Sequence, residues 1–189
     1  MHPHWYSSDP AVQRRLISLF IHSLAPKSSS TLPLSTSPFS DFESEITSTR
    51  SPHDVAAVLR WALRHLKLEG PSFGKDDSWY QSFFDAEKQA SYPPNAFLQH
   101  LVPQLSGSHL ELLTATLDLF SSLAAHAEAN STSGSKISKV VGLWLLEARR
   151  AEETDTWSSF YGRWEQAGRK LEHIFLASIR YASSLSSRI

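Results

Sequence analysis

Apolar side chains return at every third or fourth position along almost the whole chain, and prolines punctuate the runs. That interval winds apolar residues onto one face of a helix, whereas a half-buried strand needs them at every second position. Asp9-Pro10 opens the first run as an N-cap followed by proline, and Val12, Leu16, Leu19, Phe20 and Leu24 share one face. Ser51-Pro52-His53-Asp54 opens another, whose stripe of Val55, Val58, Leu59, Ala62, Leu63 and Leu66 runs to a stop at Gly70-Pro71. Asp77 or Ser78 caps a helix bearing Trp79, Tyr80, Phe83 and Phe84. A short helix with Phe97, Leu98, Leu101 and Val102 follows, ended or kinked by Pro103. Ser108 with Glu111 reads as a capping box ahead of Leu110, Leu113, Leu117, Phe120 and Leu123.

Ile137–Leu146 is apolar nearly all round, which predicts a helix at the centre of a core. Thr154 or Asp155 starts the last helix, on which Trp157, Phe160, Tyr161, Trp164, Leu171, Phe175 and Ile179 form one stripe. Its spacing predicts core, with Trp164 fully buried. The reading is all-α, about seven or eight helices without a sheet. Residues 1–24 form an N-terminal helix with a frayed start. Residues 25–50, rich in Pro, Ser and Thr, read as a linker in which Phe39–Ile46 makes a short helical turn. Residues 51–189 form the helical core.

Composition closes several function classes. With 18 Lys+Arg against 19 Asp+Glu, the chain lacks the basic excess by which a general nucleic-acid binder releases counterions. The absence of cysteine removes disulfides, thiolate catalysis and Cys-ligated metal, and suits a reducing compartment. The longest apolar run, Val140–Leu146, is far short of the roughly 20 residues that span a bilayer. The start, Met-His-Pro-His-Trp-Tyr, has no secretory pattern. A soluble, cytoplasmic chain is expected.

Candidate chemistry is sparse. Nine histidines include no H-E-x-x-H and no metal-ligand spacing, and His65, His100, His126 and His173 are expected at helix ends or polar faces. Ser133 to Lys136 satisfies S-x-x-K, but the supporting S-D-N and K-T-G elements are missing, so a loop and N-cap is the better reading. Asn130-Ser131-Thr132 is a chance glycosylation sequon without a secretory route. Acidic residues are scattered, which gives no acid/base dyad. Arg149, Arg150, Arg163, Arg169 and Lys170 make a modest basic zone read as a solvated face. No catalytic residue, cofactor or metal site is assigned.

One combination of words does carry information. Val58-Leu59-Arg60-Trp61-Ala62-Leu63-Arg64-His65-Leu66 is followed by Ser78-Trp79-Tyr80 and then Phe120-Ser121-Ser122-Leu123-Ala124-Ala125-His126. Gly134-Ser135-Lys136-Ile137-Ser138-Lys139 then runs into Gly142-Leu143-Trp144. In this order they resemble the Rho GTPase-activating domain. They resemble more closely the fungal morphogenesis family named for suppression of bud-emergence defects and for meiotic up-regulation. The resemblance covers about residues 9–180 and implies a RhoGAP-like helical fold.

It also implies a binding surface. Arg60 falls where activating domains commonly keep a lysine, Arg64 coincides with their arginine in the same helix, and Asn130 matches the loop asparagine after the central helix. Lys136 and Lys139, in the following family-like word, complete the implied protein-binding set. The resemblance fails at Leu143-Trp144, where activating domains place Pro-Asn, and upstream of Ser51, where the catalytic arginine should lie between glycines. Only Arg50 stands there, without glycines. An arginine finger supplies about 10³–10⁵ in rate, so its loss leaves a binder. The implied function is a non-catalytic adaptor for Rho-family GTPases or polarity scaffold proteins. It would act in polarity, budding or septation, with peripheral association at the cortex, bud site or septum. The alternative is a helical interaction scaffold without GTPase binding.

Overall fold

The computed structural model describes residues 8–24, 38–65, 77–147 and 155–186. Among these the regular elements are all helical, and no strand occurs. His2, His4, the segment 25–37, Leu66, the Gly70-Pro71 stop and Arg149-Arg150 lie outside the described residues. The chain divides into two compact units, residues 1–65 and 66–189.

The first unit contains α1 (Pro10–Leu24), α2 (Pro38–Ser48) and α3 (Pro52–His65), with α1 packed on both others. Leu16 is fully buried, and Phe20 of α1 meets Phe42 of α2 with ring centroids 5.4 Å apart. Asp54, the acid expected to close a capping box on α3, does something else. Its buried Oδ1 accepts the Asp9 backbone N–H at 2.7 Å, while Asp9 Oδ1 accepts from the Ala11 N–H, so the first turn of α3 fastens the start of α1. Ser8, in the start expected to be frayed, is buried beside this joint.

Two expectations are corrected here. Residues 38–48 form three turns of helix where a linker with only a short helical turn over 39–46 was expected. The hydroxyls that suggested disorder turn back onto carbonyls: Thr47 to Glu43 at 2.7 Å, Ser48 to Glu45 at 2.9 Å and Thr49 to Glu45 at 2.8 Å. Phe42 supplies the apolar contact with α1. In addition, α3 groups with α1 and α2 rather than opening the unit that follows, and Leu59 of its expected stripe is exposed.

The second unit runs α4 (Ser78–Gln89), a π turn (Phe97–Leu101), a 3₁₀ turn (Val102–Gln104), α5 (Gly107–Ala125), α6 (Ala127–Asn130), α7 (Gly134–Leu146) and α8 (Trp157–Ser186). The short helix expected over 97–102 takes π geometry because Pro103 has no N–H to continue an α register. The chain bonds Val102 N–H to the Phe97 carbonyl instead, then tightens to 3₁₀. α4 ends without glycine: Ser91 and Tyr92 both adopt positive φ, 59° and 56°, donating to the Lys88 and Glu87 carbonyls. The helix at 107 has Ser106 in the N-cap position, without a side-chain cap bond, rather than the expected Ser108/Glu111 box. Ser133 caps α7 as expected, its Oγ accepting from the Lys136 N–H.

The core is built where α7 lies antiparallel against α8. A Cβ on Gly142 would stand 2.6 Å from the Ala167 carbonyl oxygen and 2.8 Å from the Gly168 nitrogen. A Cβ on Gly134 would strike the Phe175 ring at 2.5 Å, and one on Gly168 would meet the Lys139 Cα at 2.9 Å. Phe175 fills the space beside Gly134 and meets Phe120 of α5 edge-on at 5.9 Å. Leu143, Leu171 and Ile174 are fully buried around this seam, as the apolar character of 137–146 required. His109 of α5 is also fully buried, and that burial holds its imidazole below the ordinary value.

The stripe of α8 is core only in part. Leu171 and Phe175 are buried, but Trp157 is 79% and Tyr161 49% exposed, Ile179 is exposed, and Trp164 is half-buried rather than fully so. α7 covers the face of α8 from Phe175 back to Ala167 and ends at Leu146, so the first turns of α8 carry the same periodicity without that cover.

The glycine seam gives a direct test. Gly142→Ala forces a methyl against backbone that cannot rotate away, and urea unfolding should show a loss of about 1–3 kcal/mol. Gly162→Ala, whose Cβ would meet nothing within 4 Å, should instead gain up to about 1 kcal/mol from helix propensity.

Candidate functional site

The second unit holds a polar seam between α4 and α8. Asp77 Oδ1 accepts from Lys170 Nζ at 2.5 Å, Tyr80 Oη meets His173 Nδ1 at 3.1 Å, and the Arg180 guanidinium binds Glu87. Each pair is separated by 93 residues. A constant offset means that the two helices run parallel in one fixed register, with rungs three and then seven residues apart. Asp77 was expected to cap α4, but it makes no side-chain cap bond and turns to Lys170 instead. Lys170, 9% exposed, also donates to Glu147 at 3.2 Å, tying the end of α7 to the same joint.

Glu87 is fully buried and is held from two sides, by Arg180 and by His173 Nε2 at 2.5 Å. A neutral imidazole satisfies the whole chain of contacts: Tyr80 donates to Nδ1, and Nε2–H donates to Glu87. Phe83 stacks on the His173 ring at 5.2 Å, while Tyr80 and Phe84 meet it edge-on at 5.8 and 5.7 Å. Burial first, then the Glu87 and Asp77 charges, push the Tyr80 hydroxyl up to about 12. That direction keeps the phenol a hydrogen-bond donor and is the reverse of what activates a nucleophile. These contacts fasten α4 to α8. Sequence reasoning placed His173 on a polar face and the acids as scattered. The available signal was the equal ten-residue spacing of Asp77 to Glu87 and of Lys170 to Arg180, about 15 Å of helix on each side.

The residues implied by resemblance are divided between the two units. Arg60 and Arg64 lie one turn apart in the last half of α3, in the first unit, Arg60 half-buried and Arg64 exposed. Burial and then the neighbouring Arg64 charge pull Arg60 below its ordinary value. Their position near the helix C-terminus suits positive charge.

Asn130, Lys136 and Lys139 belong to the second unit. Asn130 closes the loop after α5: its Nδ2 donates to the Leu123 carbonyl at 2.8 Å, and its Oδ1 accepts from the Thr132 N–H at 2.8 Å. The sequon amide is thereby occupied. Lys136 Nζ donates to the Ser131 carbonyl at 3.0 Å, which takes it away from a nucleophile-activating role beside Ser133. The Lys139 backbone packs against Gly168. All three are used in forming the α6–α7 corner and the α7–α8 contact. Among the described residues no group of three or more His, Cys, Asp or Glu is placed to hold a metal ion. No helix among them is long and apolar enough to cross a membrane.

The raised Tyr80 value fixes the sign of an alkaline effect. The unfolded chain ionises near 10 while the folded chain resists, so the contribution is complete below pH 10 and is lost as pH rises toward 12. Urea melts at pH 9 and pH 11 should therefore show a steeper loss for the native chain than for Tyr80→Phe. Equal slopes would place the phenol in solvent.

No curated protein and no solved structure matches the chain significantly. Residues 4–188 match the family described as the meiotically up-regulated protein Msb1/Mug8 domain. A match over almost the full length settles membership: the chain belongs to the Msb1/Mug8 domain family, whose description points to a role in morphogenesis or meiosis.

Proposed function

We propose that the chain is a non-catalytic, RhoGAP-like adaptor that binds a Rho-family GTPase or a polarity scaffold protein. It would act from the cytoplasm at the cell cortex, bud site or septum. Family membership supports the setting, since polarised growth and meiosis both reorganise the cortex. The observation that carries the reading is the Arg60–Arg64 pair. Two guanidinium groups one turn apart on α3, close enough that one depresses the other, concentrate positive charge on one edge of a rigid helix. Such an edge suits an acidic switch surface, where complementary charge speeds encounter and fixes register.

The non-catalytic half of the reading rests on Arg50. It is exposed in a link of three residues, Thr49 to Ser51, between α2 and α3. The Thr49 N–H bonds back to the Glu45 carbonyl and the Asp54 N–H to that of Ser51. No glycine occurs before Gly70, so this region lacks the glycine-flanked loop that presents a finger. Without that guanidinium in place the rate term of about 10³–10⁵ is missing.

Pull-down of recombinant Rho-family GTPases loaded with GTP or GDP, paired with single-turnover hydrolysis, tests both halves. Binding should fall at least tenfold for Arg60→Ala/Arg64→Ala while the helical content of the variant stays unchanged, and hydrolysis should stay at the intrinsic rate. Acceleration by a thousandfold would overturn the non-catalytic assignment. Failure to bind in either nucleotide state would leave the scaffold without GTPase binding.

A further inference from the structure

The first turns of α8 present an aromatic face that no described element covers. Trp157, Tyr161 and Trp164 follow the i, i+4, i+7 spacing of one helix face, with Trp157 79% and Tyr161 49% exposed. Their rings are paired into two plates. Trp157 sits tilted beside Phe160 at 6.1 Å and 30°, and Tyr161 tilted beside Trp164 at 5.6 Å and 33°. The Arg163 guanidinium caps the Phe160 ring at 6.0 Å while binding Asp155, and Arg169 pairs with Glu165 at 3.0 Å.

Three properties select an occupant. The first is area. Trp157 and Tyr161 together expose roughly 300 Å² of aromatic side chain, well under the about 800 Å² that each partner contributes to a stable dimer, so a short segment fits better than a second copy. The second is charge. Among the described residues the two acids flanking the plates, Asp155 and Glu165, are matched by Arg163 and Arg169 in ion pairs, so the described face carries no net charge to draw an acidic peptide or an anionic membrane. The third is geometry and chemistry. Trp157 and Trp164 are about 10.5 Å apart along the helix axis, and residues three apart in a polyproline II strand are about 9.3 Å apart. Indole N–H and phenol O–H at the ring edges offer donors to a backbone whose carbonyls have no internal partner, and the flat rings take proline side chains.

We infer that the N-terminal face of α8 is a docking surface for a neutral, proline-rich partner segment in the polyproline II conformation. This is independent of GTPase binding through α3. A preformed polyproline helix loses little entropy on docking, which lets so small a face bind usefully.

The test uses the full chain and a synthetic neutral peptide of the form P-x-x-P-x-x-P, followed by the indole N–H resonances in a heteronuclear NMR titration. Saturable shifts confined to the Trp157 and Trp164 indoles are expected at sub-millimolar peptide. Trp157→Ala should weaken the affinity tenfold or more, with an unchanged thermal melt because that side chain is 79% exposed. A Gly/Ser peptide of equal length should give no shifts. The inference is overturned by equal affinity in the variant or by no shift at millimolar peptide. It is also overturned if phosphatidylcholine vesicles, or the protein's own concentration, move these resonances where the peptide does not. Those last results would reassign the face to a membrane or to self-association.

Discussion

The approach of α7 to α8 at backbone distance is the constraint on which the second unit depends. With Gly142 against the Ala167 carbonyl and Gly168 against the Lys139 Cα, the two helices meet backbone to backbone at these points. Contact this close leaves no gap for a β-carbon and gives dispersion forces their full range along the seam. It also determines what else can pack. Phe175, seated on Gly134, meets Phe120 edge-on and so ties α5 to the seam.

On another side of α8 the same helix meets α4 through charge. A fully buried Glu87 is expensive to desolvate, and its two partners make that tolerable without making it cheap. What the arrangement supplies is uniqueness of register, because any other alignment strands a carboxylate in apolar surroundings. The glycine seam sets how near the helices come, and the ionic rungs set how far each slides. Together they leave the second unit one way to assemble its three longest-range partners, α4, α7 and α8.

The helical class and the position of the central helix were legible because period and total hydrophobicity are local properties, and 137–146 displays both. Proline at N1 likewise located the starts of α1 and α3. Three readings failed for one reason, which is that composition reports what a residue does in isolation. Ser and Thr in 38–49 resemble a linker until their hydroxyls find carbonyls one turn back. Asp77 and Asp54 resemble caps until a distant Lys170 N–H or Asp9 N–H claims them. The aromatic stripe of α8 resembles core along its whole length, since periodicity says which face points inward but not where the neighbouring helix ends. Of the residues carried over by resemblance, Asn130 ends α6 and Lys136 lies in the first turn of α7, and their side chains hold the corner between the two helices together.

The offset of 93 shared by three pairs across the α4–α8 seam has a consequence for how relatives of this chain can differ in length. Residues added or removed in a connecting loop between the two helices change only the offset and leave every rung matched. A single residue inserted between Asp77 and Glu87, or between Lys170 and Arg180, rotates everything beyond it by about 100° and parts donor from acceptor. The two helices act as a pair of rulers with identical graduations, tolerant of slack between them and intolerant of an extra mark on either.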